Sequence, residues 1–544
     1  MAAAELSLLV DVGSAWTKAT VVGRARGRWR IVAQASQPTA WGEAELRTAL
    51  VARLAASADR RVLDRLEQML AAAPRISCHT PIRAGRIGLA AVSAELSGAA
   101  ARHAAESAGW LVAEEATADD GRALADRLGA LQAAEVDAWL VAGGFDAGRA
   151  DQALEMAGLV AAARGRTRAP VVWAGSDHLA DEVAALFEDG GVTRVANPRP
   201  SASVEDPIPL RHVLEGLLQQ IIEPAGVRQL SPVSFRRAVA ELARSSQRRV
   251  AGVDLGARYL TWVSADEAGA AESRVFAAGG LAGTALVAPG TPARLARLLP
   301  MALDELAVAD AVQNLHARPG TLPQTDDELA VMHAGVRHLL ARSTVGDGAI
   351  AGIDLLIGAG RSIAGAPQPW QAAQLLLDGA RPMGVTQLAL DAASVLAPLG
   401  ALDDAEISEG MGVLRDDTLV PLGAAVVCRG GRAGQVAMRV SLSRPGWPSI
   451  GPIELRAGQL QVLPLGRGQA ADLEIELEAG VSLGTGRTTQ RAHVSVTGGV
   501  VGVILDARDV PLTMPRRAED RRAVLASWRD TFAREAAMPT GGTS

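Results

Sequence analysis

The chain has 544 residues, 49% of them hydrophobic and 21% charged, which is too long for a single core and too apolar for disorder, so three or four folding units are expected. A formal net charge of −6, with arginine spread along the chain instead of gathered in a block, removes the electrostatic basis for binding nucleic acid or an anionic membrane surface. Only Cys78 and Cys428 are present, far apart, which excludes a disulfide framework or a Cys-rich metal cluster and fits a reducing cytoplasm.

The first apolar run, Leu8 to Val12, is broken early by Asp11 and has no basic region before it, so a strand is expected there and not a signal peptide. No uninterrupted apolar stretch of about 20 residues follows anywhere, and no transmembrane segment is expected. Val136–Ala142 and Ala169–Trp173 read as short buried strands, with helical spacing over Asp151–Ala163 and Leu179–Phe187. Further on, helices are expected over Ala293–Leu306 and Asp326–Ala341, a strand over Ile353–Ile357 and a helix over Pro369–Leu377. From Gln435 to Asp506 the period changes to two, through Gln435–Ser441, Gln459–Pro464, Asp472–Leu477 and Arg491–Val496. That reads as a separate β-rich module, closed by a strand at Gly502–Leu505, an arginine-rich helix over Ala518–Ala533 and a frayed end from Met538 to Ser544.

Two segments begin alike. Leu8–Lys18 reads LLVDVGSAWTK, and Val250–Thr261, about 240 residues later, reads VAGVDLGARYLT. A strand that ends in Asp-x-Gly can reverse into a hairpin whose turn amides point at an anion. Asp11 and Asp254 could equally cap their own turns, the ordinary use of a strand-end Asp, but the matching contexts favour a shared polyphosphate site. Lys18 is the only lysine in the chain, and an ammonium suits a tight phosphate pocket better than a broad guanidinium. Asp146, after Gly143-Gly144, reads either as a general base or water-orienting group or as a helix cap.

Asp11-Val12-Gly13-Ser14 through Thr17-Lys18 resembles the first phosphate motif of the actin-like, sugar-kinase and heat-shock ATPase superfamily. Asp254-Leu255-Gly256-Ala257 resembles its second, and Ile357-Gly358-Ala359-Gly360-Arg361-Ser362 its adenosine motif. The intervening text is closer still to the glutamate mutase L family, on Leu140–Gly148, Val171–Gly175, the run from Asn314 through Arg318-Pro319-Gly320-Thr321-Leu322-Pro323, and Leu376–Leu388. The resemblance implies a two-lobed actin-like (ribonuclease H-like) α/β fold, with lobes over 1–248 and 249–432, an appended β-rich module over 433–515 and a helical tail over 516–544. It implies ATP and Mg²⁺ as cofactors, with Asp11, Lys18, Asp254 and Asp146 in the chemistry and Asp11 and Asp254 orienting the metal. Gly13, Ser14, Thr17, Gly256, Ala257, Gly358, Gly360 and Arg361 would hold the nucleotide.

Members of that family are accessory proteins, ATP-dependent chaperones or reactivators, of the cobalamin-dependent glutamate (methylaspartate) mutase, so a protein partner of that kind is implied. The family's second motif tends to read Asp-x-Gly-Gly-Ala-Thr-Thr-Asp, whereas this chain has Asp254-Leu255-Gly256-Ala257-Arg258-Tyr259-Leu260-Thr261. The missing final acid leaves ATP hydrolysis open and keeps a second reading alive, a non-catalytic actin-like scaffold that uses nucleotide as a switch. No Asp-x-His-x-x-Gly cobalamin signature occurs, so mutase chemistry is not expected of the chain itself. His333 and His338, five apart on a helix, miss the spacing of a zinc-binding pair.

Overall fold

The computed structural model describes residues 6–25, 28–57, 68–81, 83–146, 151–165, 167–187, 191–222, 229–343, 350–413, 417–484 and 490–536. The frayed end expected from Met538 lies outside the described residues. Two compact units are formed, one from Met1–Thr80, Ser234–Glu272 and Gly279–Ser544, the other from Pro81–Val233 and Ser273–Ala278. The boundaries expected at 248, 432 and 515 do not coincide with this division.

In the first unit, β1 (Leu6–Val12), β2 (Trp16–Ala25) and β3 (Arg28–Pro38) form an antiparallel meander, and β4 (Arg75–His79) pairs parallel with β1. Leu6, Val10, Ala19 and Val21 pack beneath Leu46, Leu50 and Leu54 of the helix Glu43–Ser57.

The second unit is a wholly parallel sheet of β5 (Gly85–Ala91), β6 (Trp110–Thr117), β7 (Ala138–Gly143), β8 (Val171–Gly175) and β9 (Val192–Arg194), in the order β6-β5-β7-β8-β9. This is a doubly wound arrangement, whose order reverses between β5 and β7. Both faces are covered by helices, and β7 and β8 are buried at every residue, which is why their sequences read as unbroken apolar runs. Sequence reading counted this sheet as part of the first lobe because its strand and helix alternation looks the same from either fold.

The meander recurs in the first unit. β10 (Val250–Leu255) and β11 (Leu260–Ala265) form the second hairpin, and β12 (Leu355–Ala359) pairs parallel with β10, β13 (Pro382–Asp391) with β12. A hairpin joined in parallel to a later strand, occurring twice, is the ribonuclease H-like plan expected from the sequence. Phe235, Val239, Val263, Ile357 and Leu396 are among the buried residues that join its core.

The expected helix over Ala293–Leu306 is instead two, Thr291–Ala296 and Glu305–Ala317. Pro300 falls between them, and a proline removes an amide donor and clashes with the preceding turn.

The C-terminal strands divide. β14 (Leu419–Val427) pairs with β13, β20 (Gly502–Asp506) pairs parallel with β14, and β17 (Leu460–Leu463) closes the edge on β20. By contrast β15 (Val436–Ser443), β16 (Ile450–Arg456), β18 (Ala470–Leu477) and β19 (Arg491–Thr497) form a four-stranded sheet of their own, ordered β16-β15-β18-β19. The difference follows from burial: β20 is buried throughout, whereas β18 alternates exposed and buried residues. No described helix is long and apolar enough to cross a membrane.

Candidate functional site

Both Asp-x-Gly strands end in the turns their sequences demand, and in matching register. Asp11 lies opposite Lys18 and Asp254 opposite Thr261, while Gly13 N–H donates to Trp16 O at 3.1 Å and Gly256 N–H to Tyr259 O at 2.9 Å. The first turn is braced from behind, since the Thr39 hydroxyl donates to Gly13 O at 2.8 Å and meets the Thr17 hydroxyl at 3.0 Å. The second is strapped by three amides, Gly280 to Arg258 O at 2.9 Å, Leu281 to Gly256 O at 3.2 Å and Ala282 to Ala257 O at 2.6 Å. Among the described residues, the amides of Ser14, Ala15, Ala257 and Arg258 donate to no backbone carbonyl.

These two turns line one cavity of about 350 Å³ within the first unit. Asp11, Gly13, Ser14, Lys18, Asp254, Gly256, Ala257, Gly360 and Arg361 all face it. Its other wall comes from the Pro319–Asp326 segment with Leu329 and Met332; up to Pro323 its sequence signal was family resemblance, and from Asp326 onward the expected helix.

Trp16, which sequence reading passed over, donates its indole N–H to Gly320 O at 3.1 Å and carries the Arg361 guanidinium 3.9 Å over its ring. Gly360 needs to be glycine: its φ is +78°, and a Cβ there would strike the Asp254 carboxylate and the Leu255 carbonyl.

Two expected residues of the same unit do not reach the cavity. Thr17 is 6% exposed and serves the turn; Gly358 is buried inside β12 against Ile363, Leu376 and Leu390. Asp146 closes the loop after β7 in the second unit, where its carboxylate accepts the Asn197 amide at 2.9 Å. Arg258 is exposed and does not line the cavity. The helix carrying His333 buries that imidazole, which pushes its pKa down to about 3.

Lys18 Nζ lies 2.8 Å from Asp11 Oδ2. Burial opposes its charge, but Asp11, Asp254 and Asp391 together hold the ammonium above its ordinary value. Burial pushes Asp254 up to about 7 against the attraction of Lys18, with Asp11 and Asp391 adding repulsion.

Asp391 was missed in the sequence although it ends a strand, β13, as the other two do. Burial raises it to about 6, opposed by the amides of Leu396 and Val395, which donate to it at 3.0 and 3.1 Å. Three carboxylates thus surround one ammonium, an excess of negative charge that a cation would relieve.

A pH dependence follows from these shifts. Below about pH 4 the folded and unfolded chains both hold the Asp254 proton; between about 4 and 7 only the folded chain does, so stability falls across that window and is level above it. Asp254→Asn is therefore expected to flatten the fall and to be the more stable protein at pH 8, by roughly 2–4 kcal/mol. Urea midpoints of both proteins from pH 4 to 8 check this, and parallel slopes would refute it.

Residues 7–259 match the family described as MutL protein. That stretch is similar to the glutamate mutase L family. It runs from the first Asp-x-Gly hairpin to the turn of the second, so the match to the MutL family includes both Asp-x-Gly motifs. No curated protein matches the chain.

Among solved structures, nucleotide-free acetone carboxylase is similar at 11% identity over 84% of this chain and 81% of that one, with a TM-score of 0.31. Component A of (R)-2-hydroxyglutaryl-CoA dehydratase from Acidaminococcus fermentans is similar at 9% identity over 75% and 99%, with a TM-score of 0.27. The activator of 2-hydroxyisocaproyl-CoA dehydratase from Clostridium difficile, with bound ADPNP, is similar at 8% over 75% and 95%, with a TM-score of 0.26. At such scores the likenesses carry no functional argument.

Proposed function

We propose that this protein binds ATP with Mg²⁺ in the cavity between the two Asp-x-Gly turns and acts as an accessory protein, a chaperone or reactivator, for a cobalamin-dependent glutamate (methylaspartate) mutase in the cytoplasm. One observation carries the nucleotide reading: Gly13 and Gly256, far apart in sequence, line one cavity with Lys18 and both strand-end aspartates. Unengaged turn amides there suit phosphate oxygens. The donor set fits Mg²⁺, because the carboxylates lining the cavity, Asp11, Asp254 and Asp326, form no group of three clustered side-chain ligands among the described residues, as suits an ion that keeps most of its water. Asp11 and Asp254 would hold that hydrated ion, which would supply charge neutralisation along the polyphosphate. Lys18 would bind the terminal phosphates, and the 360–362 turn with Met332 and Leu329 would receive the nucleoside.

The mutase as partner rests on the family of residues 7–259. A second reading, a scaffold that binds nucleotide without cleaving it, is favoured by Thr261. This residue stands opposite Asp254, is 2% exposed and cannot replace the acid the family motif carries. ATP held in either case shifts a conformational balance only through its differential affinity for the two states.

Calorimetric titration of ATP and ADP with Mg²⁺ into the full chain tests the site. Wild type is expected to bind and Gly360→Ala to lose at least tenfold in affinity, since strain and steric conflict there cost about 1–3 kcal/mol. An absence of binding to wild type would remove the reading. ATP-dependent recovery of an inactivated mutase, with pure components, separates the reactivator from the scaffold.

A further inference from the structure

Two basic side chains line the cavity between the Asp-x-Gly turns, Lys18 and Arg361, and they are not equivalent. Lys18 is already committed, since Asp11 pairs with it at 2.8 Å and Asp254 and Asp391 add their attraction. Arg361 is half-buried, and among the described residues no carboxylate forms an ion pair with it. Burial alone moves its pKa, downward.

What Arg361 has in place of an acid is Trp16. The guanidinium carbon lies 3.9 Å from the centre of the indole, well inside the roughly 6 Å over which a ring face attracts a cation. The ring is itself held, because its N–H donates to Gly320 O at 3.1 Å, so the seat under the guanidinium keeps its orientation. Trp16 follows the first Asp-x-Gly turn directly, as the residue whose carbonyl accepts the Gly13 amide. Gly360, the residue before Arg361, packs so closely on Asp254 and Leu255 that a Cβ would strike both. Arg361 is thus tied to the second Asp-x-Gly strand through its neighbouring backbone and to the first turn through its side chain.

A contact with a ring face uses the charge of a guanidinium and none of its N–H donors, which stay available to oxygens. Those donors form a rigid fork that matches two oxygens of one phosphate. A free arginine would have to be ordered from many rotamers when its ligand arrives, and that cost opposes binding; a side chain already seated does not incur it.

We propose that Trp16 is a positioning residue for the polyphosphate, seating Arg361 in the cavity as a cation for phosphate oxygens in addition to Lys18. This rests on the nucleotide reading of the cavity. In that reading the backbone of the 360–362 turn receives the nucleoside, and Trp16 draws the one charged side chain of that turn back toward the first phosphate turn.

The probe is MgATP, titrated calorimetrically into the full chain. Arg361→Gln is expected to weaken binding at least tenfold and Trp16→Leu at least fivefold. The double variant is expected to fall within twofold of Arg361→Gln, because a seat without its cation has nothing left to position. Trp16→Phe, which keeps a ring under the guanidinium and deletes the bond to Gly320, is expected to stay within threefold of wild type. A tryptophan that only braced the Pro319–Asp326 wall would behave otherwise, losing affinity in Trp16→Phe and multiplying its loss with that of Arg361→Gln. A loss beyond threefold in Trp16→Phe, multiplied losses in the double variant, or MgATP affinity unchanged by Arg361→Gln overturns the proposal while leaving the nucleotide reading in place. No binding of MgATP to wild type removes that reading and the proposal with it, so the two failures are distinguishable.

Discussion

Arg508→Met is expected to destabilise the folded chain by about 3–5 kcal/mol, because it leaves two buried carboxylates with inadequate compensation. Arg508 is 1% exposed. Its guanidinium reaches Asp378 at 2.8 Å and Asp506 at 2.7 Å, with the Trp528 ring 4.9 Å away. Burial opposes the charge, but the two acids outweigh it and hold the guanidinium above its ordinary value. Arg337, 3.4 Å from Asp378, would remain for one carboxylate, while Asp506 would lose both of its bonds from the guanidinium. Asp506 ends β20 while Asp378 lies in the helical turn Leu376–Ala380, so the cluster fastens the C-terminal strands to the second ribonuclease H-like half. Urea unfolding followed by circular dichroism measures the loss. Arg508→Met/Asp506→Asn should recover part of it, since one stranded charge is gone, and a loss below about 1 kcal/mol in the single variant would show the cluster to be dispensable.

Lys18→Ala is expected to weaken ATP binding by about 1.5–3 kcal/mol, the range for a lost charge-assisted contact, and to weaken ADP binding less. The asymmetry matters more than the total, because Lys18 is ion-paired to Asp11 and attracted by Asp254, and the proposed reading sets it against the terminal phosphates. The variant also removes the charge that holds Asp254 down, so its carboxyl titrates higher still and MgATP affinity should rise more steeply with pH than in wild type. Calorimetry at pH 6, 7 and 8 reads both effects. Equal ATP affinity in the two proteins would dismiss the lysine from the site.

The hairpins were legible because a strand ending in Asp-x-Gly has few local alternatives. Alternation of apolar and polar residues likewise marked β15, β18 and β19, whose outer faces are open to water. Asp391 was equally legible in principle, an aspartate ending an apolar strand, but nothing follows it that resembles a phosphate turn. Instead the helix Leu396–Gly400 takes its carboxylate as a cap. Asp146 is the ambiguous case. Glycines before an acid look like a ligand loop, and here the same residues close a strand and hold Asn197.

What the sequence determined by itself was local: two matched turns, a lone lysine one strand away from the first, and the strand and helix alternation around them. Hydrogen-bonding geometry at a turn is set within a few residues, so the order of residue types is enough to specify it. Which strands share a sheet, that residues 85–194 form a doubly wound sheet of their own, and that β17 and β20 leave the β-rich segment for the central sheet were decided only by tertiary structure. Pairing and charge neutralisation depend on partners hundreds of residues away, and no local pattern encodes the distance between them.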